Sequence, residues 1–211
     1  MLESQYLGLI EYGAGLQIQS DLFFKSQKSQ EHFIIGLEHP SVVTLGYRAV
    51  AAIEVHPENL LRVERTNRGG FATLHSEGQL VIYPVVNLRK LKLGVRDFIC
   101  ILLETTKKLL QNYGVCSFVN ENALGLYTKK GKIAFCGIHV SHGITQHGIS
   151  ININNDLGLF KNIRSCGIEA ARFDRLAEHK ANVELALLYS QWVDDFKLRI
   201  DNLVAVAKCD L

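Results

Sequence analysis

The chain lacks most of what would mark a specialised class. It has three prolines, an ordinary share of glycine and no short-period repeat, which excludes collagen-like and low-complexity readings. Its longest apolar runs are a few residues, against the ~18 that a membrane span requires. The N-terminus MLESQYLGLIEYG has an early Glu3 and no basic stretch, so it does not read as a signal or transit peptide. None of the five cysteines stands in a C-x-x-C pair, so neither a zinc ribbon nor a redox dithiol is indicated. Net charge is only +2, too small to imply nucleic acid. We therefore expect a cytoplasmic protein with reduced cysteines, no membrane contact and no metal.

What is present fits one globular domain over residues 1–211. The length of 211 residues sits nearer one domain than two, and 47% apolar against 21% charged residues is ordinary for a folded chain. Charge is unevenly spread. Residues 89–132 carry nine basic side chains (Arg89, Lys90, Lys92, Arg96, Lys107, Lys108, Lys129, Lys130, Lys132) against Asp97, Glu104 and Glu121. That stretch is either a solvated face or a docking surface for an acidic macromolecule.

Periodicity predicts helices over 12–27, over 95–113 with Gly114 as its stop, and from Val183 to Ile200 with Leu185, Leu188, Trp192 and Phe196 as its stripe. FIIGLEHP and SVVTLG read as two strands split at His39-Pro40-Ser41, and LVIYPVV as a buried strand. A hairpin follows, NALGLYT and KIAFCGIHV around Lys129-Lys130-Gly131, and then ITQHGISININ with Ile149, Ile151 and Ile153 facing one way. Helices and strands mix without βαβ alternation, so the class is α+β (mixed α/β) with a central, largely antiparallel sheet flanked by helices.

Three segments carry candidate chemistry: RGGFATLHSEGQ (68–79), KIAFCGIHV (132–140) with QHGISIN (146–152), and SCGI (165–168). Singly each is weak: glycines permit tight turns, and a lysine beside a turn is by default solvated. A cysteine before glycine is the most suggestive, because the small neighbour leaves backbone N–H groups free near a sulfur.

Together and in this order they resemble the lipoyl(octanoyl) transferase, or lipoate-protein ligase B, family. The matching residues are Arg68-Gly69-Gly70, Thr73, His75, Gly78-Gln79, Lys132-Ile133-Ala134, Gly137, His147-Gly148, Asn152 and Cys166-Gly167-Ile168. Similar stretches are LEHPSVVTLG (37–46), YPVVNLRKLKL (83–93) and DLGLF (156–160). The resemblance implies a biotin ligase/lipoate ligase-like fold and an enzyme of protein lipoylation and lipoate biosynthesis. It implies octanoyl transfer from octanoyl-acyl carrier protein to a lysine of lipoyl domains of 2-oxoacid dehydrogenases or of the glycine-cleavage H protein. It also implies a catalytic pair, Cys166 and Lys132. Its substrate-binding segments fall on Arg68, Gly69, Gly70, Phe71, Ala72, Thr73, Leu74 and His75, on Phe135, Cys136 and Gly137, and on Gly148, Ile149 and Ser150. No cofactor is called for, and we expect a monomer.

The chemistry suits those residue types. A thiolate is both a nucleophile and a leaving group, as thioester exchange followed by aminolysis requires. A thiol with a pKa of ~8.5 needs a nearby cation to ionise near neutrality. The same lysine could afterwards move a proton from the incoming amine. Two readings compete: an ATP-dependent ligase using Lys132 to hold an acyl-adenylate, and a binding module without turnover.

This chain departs from the family at Ser76-Glu77, where Gly-Pro is usual, and at Ser165, where proline is common. It departs again at Arg172, Asp174 and Arg175, in a segment expected to reach the acceptor. The first change is expected to reshape the loop and weaken attraction for an anionic donor.

Overall fold

The computed structural model describes residues 2–120, 123–164 and 172–209. Its frame among these residues is a seven-stranded sheet in the order β1-β2-β6-β10-β9-β8-β7. The strands are β1 (Leu2–Leu9), β2 (His32–Glu38), β6 (Gln79–Val85), β7 (Phe118–Val119), β8 (Gly125–Tyr127), β9 (Lys132–Ser141) and β10 (Ile144–Asn152). Neighbours run antiparallel except β1 beside β2, so the expected largely antiparallel sheet is present. A second sheet, β4-β3-β5, pairs β3 (Val42–Leu45) with β4 (Arg62–Arg65) and β5 (Ala72–His75).

Alternation along the central strands gives the large sheet two different faces. Ile34, Leu80, Ile82, Ile149 and Ile151 join one core with α4 (Val95–Asn112) and α5 (Leu185–Cys209). There Phe98, Leu102, Leu188, Trp192 and Phe196 are fully buried. The indole N–H of Trp192 donates to Thr106 Oγ1 at 2.8 Å, a buried polar contact between the two helices. Helix α4 ends before Gly114, which takes a φ of +79° as a helix stop requires.

The opposite face is covered by α1 (Tyr12–Ser29), packed over Ile35, Leu37, Val81 and Tyr83. Its buried stripe is Tyr12, Gly15, Gln19, Phe23 and Ser26, helical in spacing but half polar. The small sheet packs through Val43, Leu45 and Leu74 against Phe135 of β9 and Phe160 in the short helical turn Leu157–Asn162. Ile149, Ile151 and Ile153 face the α4–α5 core as expected. No helix among the described residues is long and apolar enough to cross a membrane.

Candidate active site

A cavity of about 450 Å³ opens where the Arg68–His75 segment crosses β9 and β10. It falls within the range of small-molecule sites, about 300–1,000 Å³. The crossing is close: the N–H of Gly69 donates to the Ile138 carbonyl at 3.0 Å, and a Cβ on Gly137 would lie 2.9 Å from the Gly69 oxygen. Only glycine at 137 admits this approach.

Thirteen of the fourteen expected binding residues line the cavity, as does Lys132. Leu74 is the exception; strand alternation turns it into the small-sheet core, fully buried. Cys166 lies outside the described residues. Sequence reasoning left out Arg48, Val81, Tyr83, Val95, Ile99, Ala123, Leu124, Ile138 and His147, which complete the wall. Period-two alternation in β6 would have flagged Tyr83, and the pair Val95 and Ile99 sits at helical i,i+4 spacing.

Lys132 is 5% exposed. Its ammonium donates to the Ala123 carbonyl at 3.0 Å and sits over the rings of Phe135 (4.9 Å) and Tyr127 (5.3 Å). Space for its side chain comes from Gly125, where a Cβ would fall 2.7 Å from Lys132 Cε. The backbone of Lys132 pairs with the chain just beyond the undescribed segment: its N–H donates to the Arg172 carbonyl (2.9 Å), and its own carbonyl accepts from Asp174 N. Phe173 between them stacks on Phe160 at 4.1 Å. On the other side of that segment, Arg164 N–H donates to the Glu54 carbonyl at 2.7 Å. The buried Glu54 carboxylate in turn accepts from the N–H groups of Val50 and Ala72.

Cys136 faces the cavity beside Lys132, but burial pushes its thiol up to about 12, the nearby ammonium only partly offsetting it. It is a neutral lining group and not a thiolate nucleophile. Cys100 and Cys116 are exposed elsewhere.

One end of the cavity is polar. Arg68 is pinned rather than presented: Nη2 donates to the Thr44 carbonyl (2.7 Å) and hydroxyl (2.9 Å), and Nη1 to the Gly69 carbonyl. Tyr12, His39, His75, Tyr83 and His147 form a chain of ring contacts 5.0–6.2 Å apart. His39 Nδ1 donates to the Ile10 carbonyl (2.7 Å), which fixes the tautomer and leaves Nε2 to accept from the Tyr83 hydroxyl (2.9 Å). Burial holds His39 at about 4 and His75 and His147 at about 3, so all three are neutral near pH 7. The Thr73 hydroxyl is buried in this wall without a hydrogen-bond partner among the described residues.

The scattered sequence matches turn out to be one network. His75 bonds Gln79 (2.7 Å), whose amide nitrogen donates to Asn152 Oδ1 (2.9 Å), and Asn152 Nδ2 donates to the Asp174 carbonyl (3.0 Å). Asp174 is 1% exposed and its carboxylate takes bonds from Thr128 and His179. This corrects the expectation that Asp174 stands at the acceptor-facing surface: it braces the hairpin turn, while Arg172 alone of the three is exposed. Ser76 and Glu77 form a turn closed by Gln79 N–H to the Ser76 carbonyl (3.1 Å) and do not line the cavity. The turn survives the loss of Gly-Pro, with Glu77 pointing to solvent. No group of three or more His, Cys, Asp or Glu among the described residues could hold a metal ion.

The cavity thus combines a glycine-rich segment laid across two central strands with a buried lysine and a polar end. Residues 11–197 match the family model of the lipoyl protein ligase A/B catalytic domain, and the chain belongs to that family. Among curated proteins it is 33% identical to the octanoyltransferase of Dichelobacter nodosus over 92% of this chain and 98% of that one. Among solved structures it resembles P. falciparum LipL1 in complex with lipoate (TM-score 0.73, 14% identity, 96% of this chain and 62% of that one). It also resembles the biotin protein ligase of Aquifex aeolicus with biotin and ATP (TM-score 0.59, 12% identity, 96% and 72%). These two likenesses establish the expected biotin ligase/lipoate ligase-like fold.

Proposed function

We propose that this chain takes an octanoyl group from the thioester of acyl carrier protein, holds it on Cys166 and passes it to a lysine of a lipoyl domain. The chain is an octanoyltransferase, an acyltransferase of protein lipoylation, as its curated relatives are named. The acceptors would be lipoyl domains of 2-oxoacid dehydrogenases or the glycine-cleavage H protein.

The observation that carries the reading is the setting of Lys132. It stands buried in the cavity wall, and its strand is hydrogen-bonded to Arg172, a few residues past Cys166 in sequence. In the first step the Cys166 thiolate attacks the thioester carbonyl, forming a new carbon–sulfur bond while the carrier thiolate leaves. In the second, the acceptor amine attacks the acyl-cysteine, an amide forms, and the Cys166 thiolate is released. The proton lost from the amine passes to a base, the role we give to Lys132 in its neutral form. Lys132 as ammonium favours the thiolate at the start of the cycle and gives its proton to the departing carrier thiolate, which leaves it neutral for the second step. Amide formation from a thioester is downhill, so no nucleotide is consumed.

Polar and apolar walls divide the work. Phe135, Cys136, Ile149 and Ile99 enclose the acyl chain, each buried methylene contributing about 0.8 kcal/mol. The N–H groups of Gly70 and Phe71 at the crossing supply hydrogen-bond donors for the thioester end. The test is transfer from octanoyl-carrier protein to a lipoyl domain without ATP. Loss of transfer in Cys166→Ala supports the reading; transfer by that variant when ATP and octanoate are supplied would contradict it and favour a ligase.

A further inference from the structure

We infer that the corner between α3 (Leu88–Leu91) and α4 is the docking surface for an acidic carrier protein that delivers the acyl thioester. This inference rests on the transferase reading for the identity of its partner.

The corner adjoins the cavity rim at Val95 and carries a cluster of exposed cations. Val95 is 46% exposed and also lines the cavity, with Ile99 one turn further in. Immediately around them Arg89, Lys90, Lys92 and Arg96 are all exposed, against one carboxylate, Asp97. Two of these cations have structural duties. Lys90 Nζ donates to the Gln30 carbonyl at 2.7 Å, and the Arg89 side chain lies over Gly143. The side chains of Lys92 and Arg96 make no hydrogen bond or ion pair with a described residue. Arg96 stands in the first turn of an 18-residue helix, where the exposed N–H groups already make the end positive. A cation there works against helix stability and adds to an outward positive field, which suits recruitment rather than folding.

Lys107 and Lys108, further along α4, are set apart. Lys107 pairs with Glu104 at 3.6 Å, and eleven residues of helix separate it from Arg96, about 16 Å of rise. That exceeds the screening length of ~8 Å at physiological salt. The half-buried Leu91 and Leu93 alternate with the cations, giving a mixed apolar and basic surface that fits a folded acidic protein.

The experiment measures binding of un-acylated holo-acyl carrier protein by fluorescence anisotropy, alongside transfer from octanoyl-carrier protein and from octanoyl-pantetheine. The variant Lys92→Glu/Arg96→Glu should weaken carrier binding on the order of tenfold and flatten its salt dependence. Its kcat/KM with octanoyl-pantetheine and its KM for the lipoyl domain should stay within twofold. Lys107→Glu/Lys108→Glu should leave carrier binding within twofold. Unchanged carrier affinity in the first variant, an equal loss in the second, or a rise in KM for the lipoyl domain instead would overturn the proposal. Wild-type protein that binds the carrier through this corner yet transfers octanoyl from neither donor would support the surface and contradict the transferase reading.

Discussion

The two faces of the large sheet are built on opposite principles. Under α4 and α5 the contacts are apolar, with Phe98, Leu102, Leu188, Trp192 and Phe196 all withdrawn from water. Under α1 the same strands present Tyr83 and His147, and the covering helix buries Gln19 and Ser26 where α5 buries Trp192 and Leu188. One face supplies stability that does not depend on pH. The other spends buried volume on neutral polar rings and a reaching glutamine, whose Oε1 accepts the N–H of His147 at 2.8 Å beside the Gly148–Ser150 wall. The difference teaches that cavity shape and fold stability are carried by separate residues and can be perturbed separately.

The comparison is broken most strongly at the cavity itself. Lys132→Ala should lower kcat/KM for octanoyl transfer by about 10²–10⁴-fold, the usual yield of a positioned proton-transfer group. It should also raise the apparent pKa of Cys166, read from pH-dependent alkylation. An unchanged alkylation profile would remove Lys132 from its activating role. Next comes the apolar face: Trp192→Ala should cost about 3–5 kcal/mol of unfolding free energy, with activity per folded molecule retained at low temperature. A selective loss of activity there would show the faces to be coupled.

Gln19→Leu should cost about 1–3 kcal/mol, because the buried His147 N–H loses its acceptor. It should raise KM for the octanoyl donor more than it lowers kcat, since the wall moves and the reacting groups do not. A separate effect, read on stability alone, is in pH. His32, His39, His75 and His147 are held by burial at about 4, 4, 3 and 3, below the ordinary 6.5. The unfolded chain therefore binds more protons between pH 5 and 6.5, so stability falls as pH falls through that window. The slope should approach about four protons per molecule. Denaturant unfolding at pH 5, 6 and 7 would measure it, and a flat dependence would mean that these rings are charged or solvated in the fold.

Legibility in the sequence followed local chemistry. Helices α4 and α5 were readable because each carries an apolar stripe, and the β9–β10 pair because alternation runs unbroken between glycine turns. Strand β1 was not: Glu3, Ser4 and Gln5 have no apolar pattern, and only parallel pairing with β2 makes them a strand. The same holds for β4, whose sequence RVER lies at the edge of the small sheet. At the site, the ordered matches from Arg68 to Asn152 were readable as a set, but their union through Gln79 and Asp174 was not. Asp174 in a charged segment reads as surface, and it is buried only because Thr128 and His179 meet it from distant positions. Val95 belongs to a helix that was readable, but its place on the cavity rim, 46% exposed, follows from packing that the sequence does not show.

The proposed route is covalent, with the octanoyl group held as a thioester on Cys166 and Lys132 serving both steps. Intact-mass analysis after brief mixing with octanoyl-carrier protein, without ATP or acceptor, tests it most directly. The account predicts one octanoyl group per chain, mapped to Cys166, absent in Cys166→Ala and discharged when a lipoyl domain is added. A chain that modifies the lipoyl domain while never carrying that group, or that carries it on Cys136, would contradict the account.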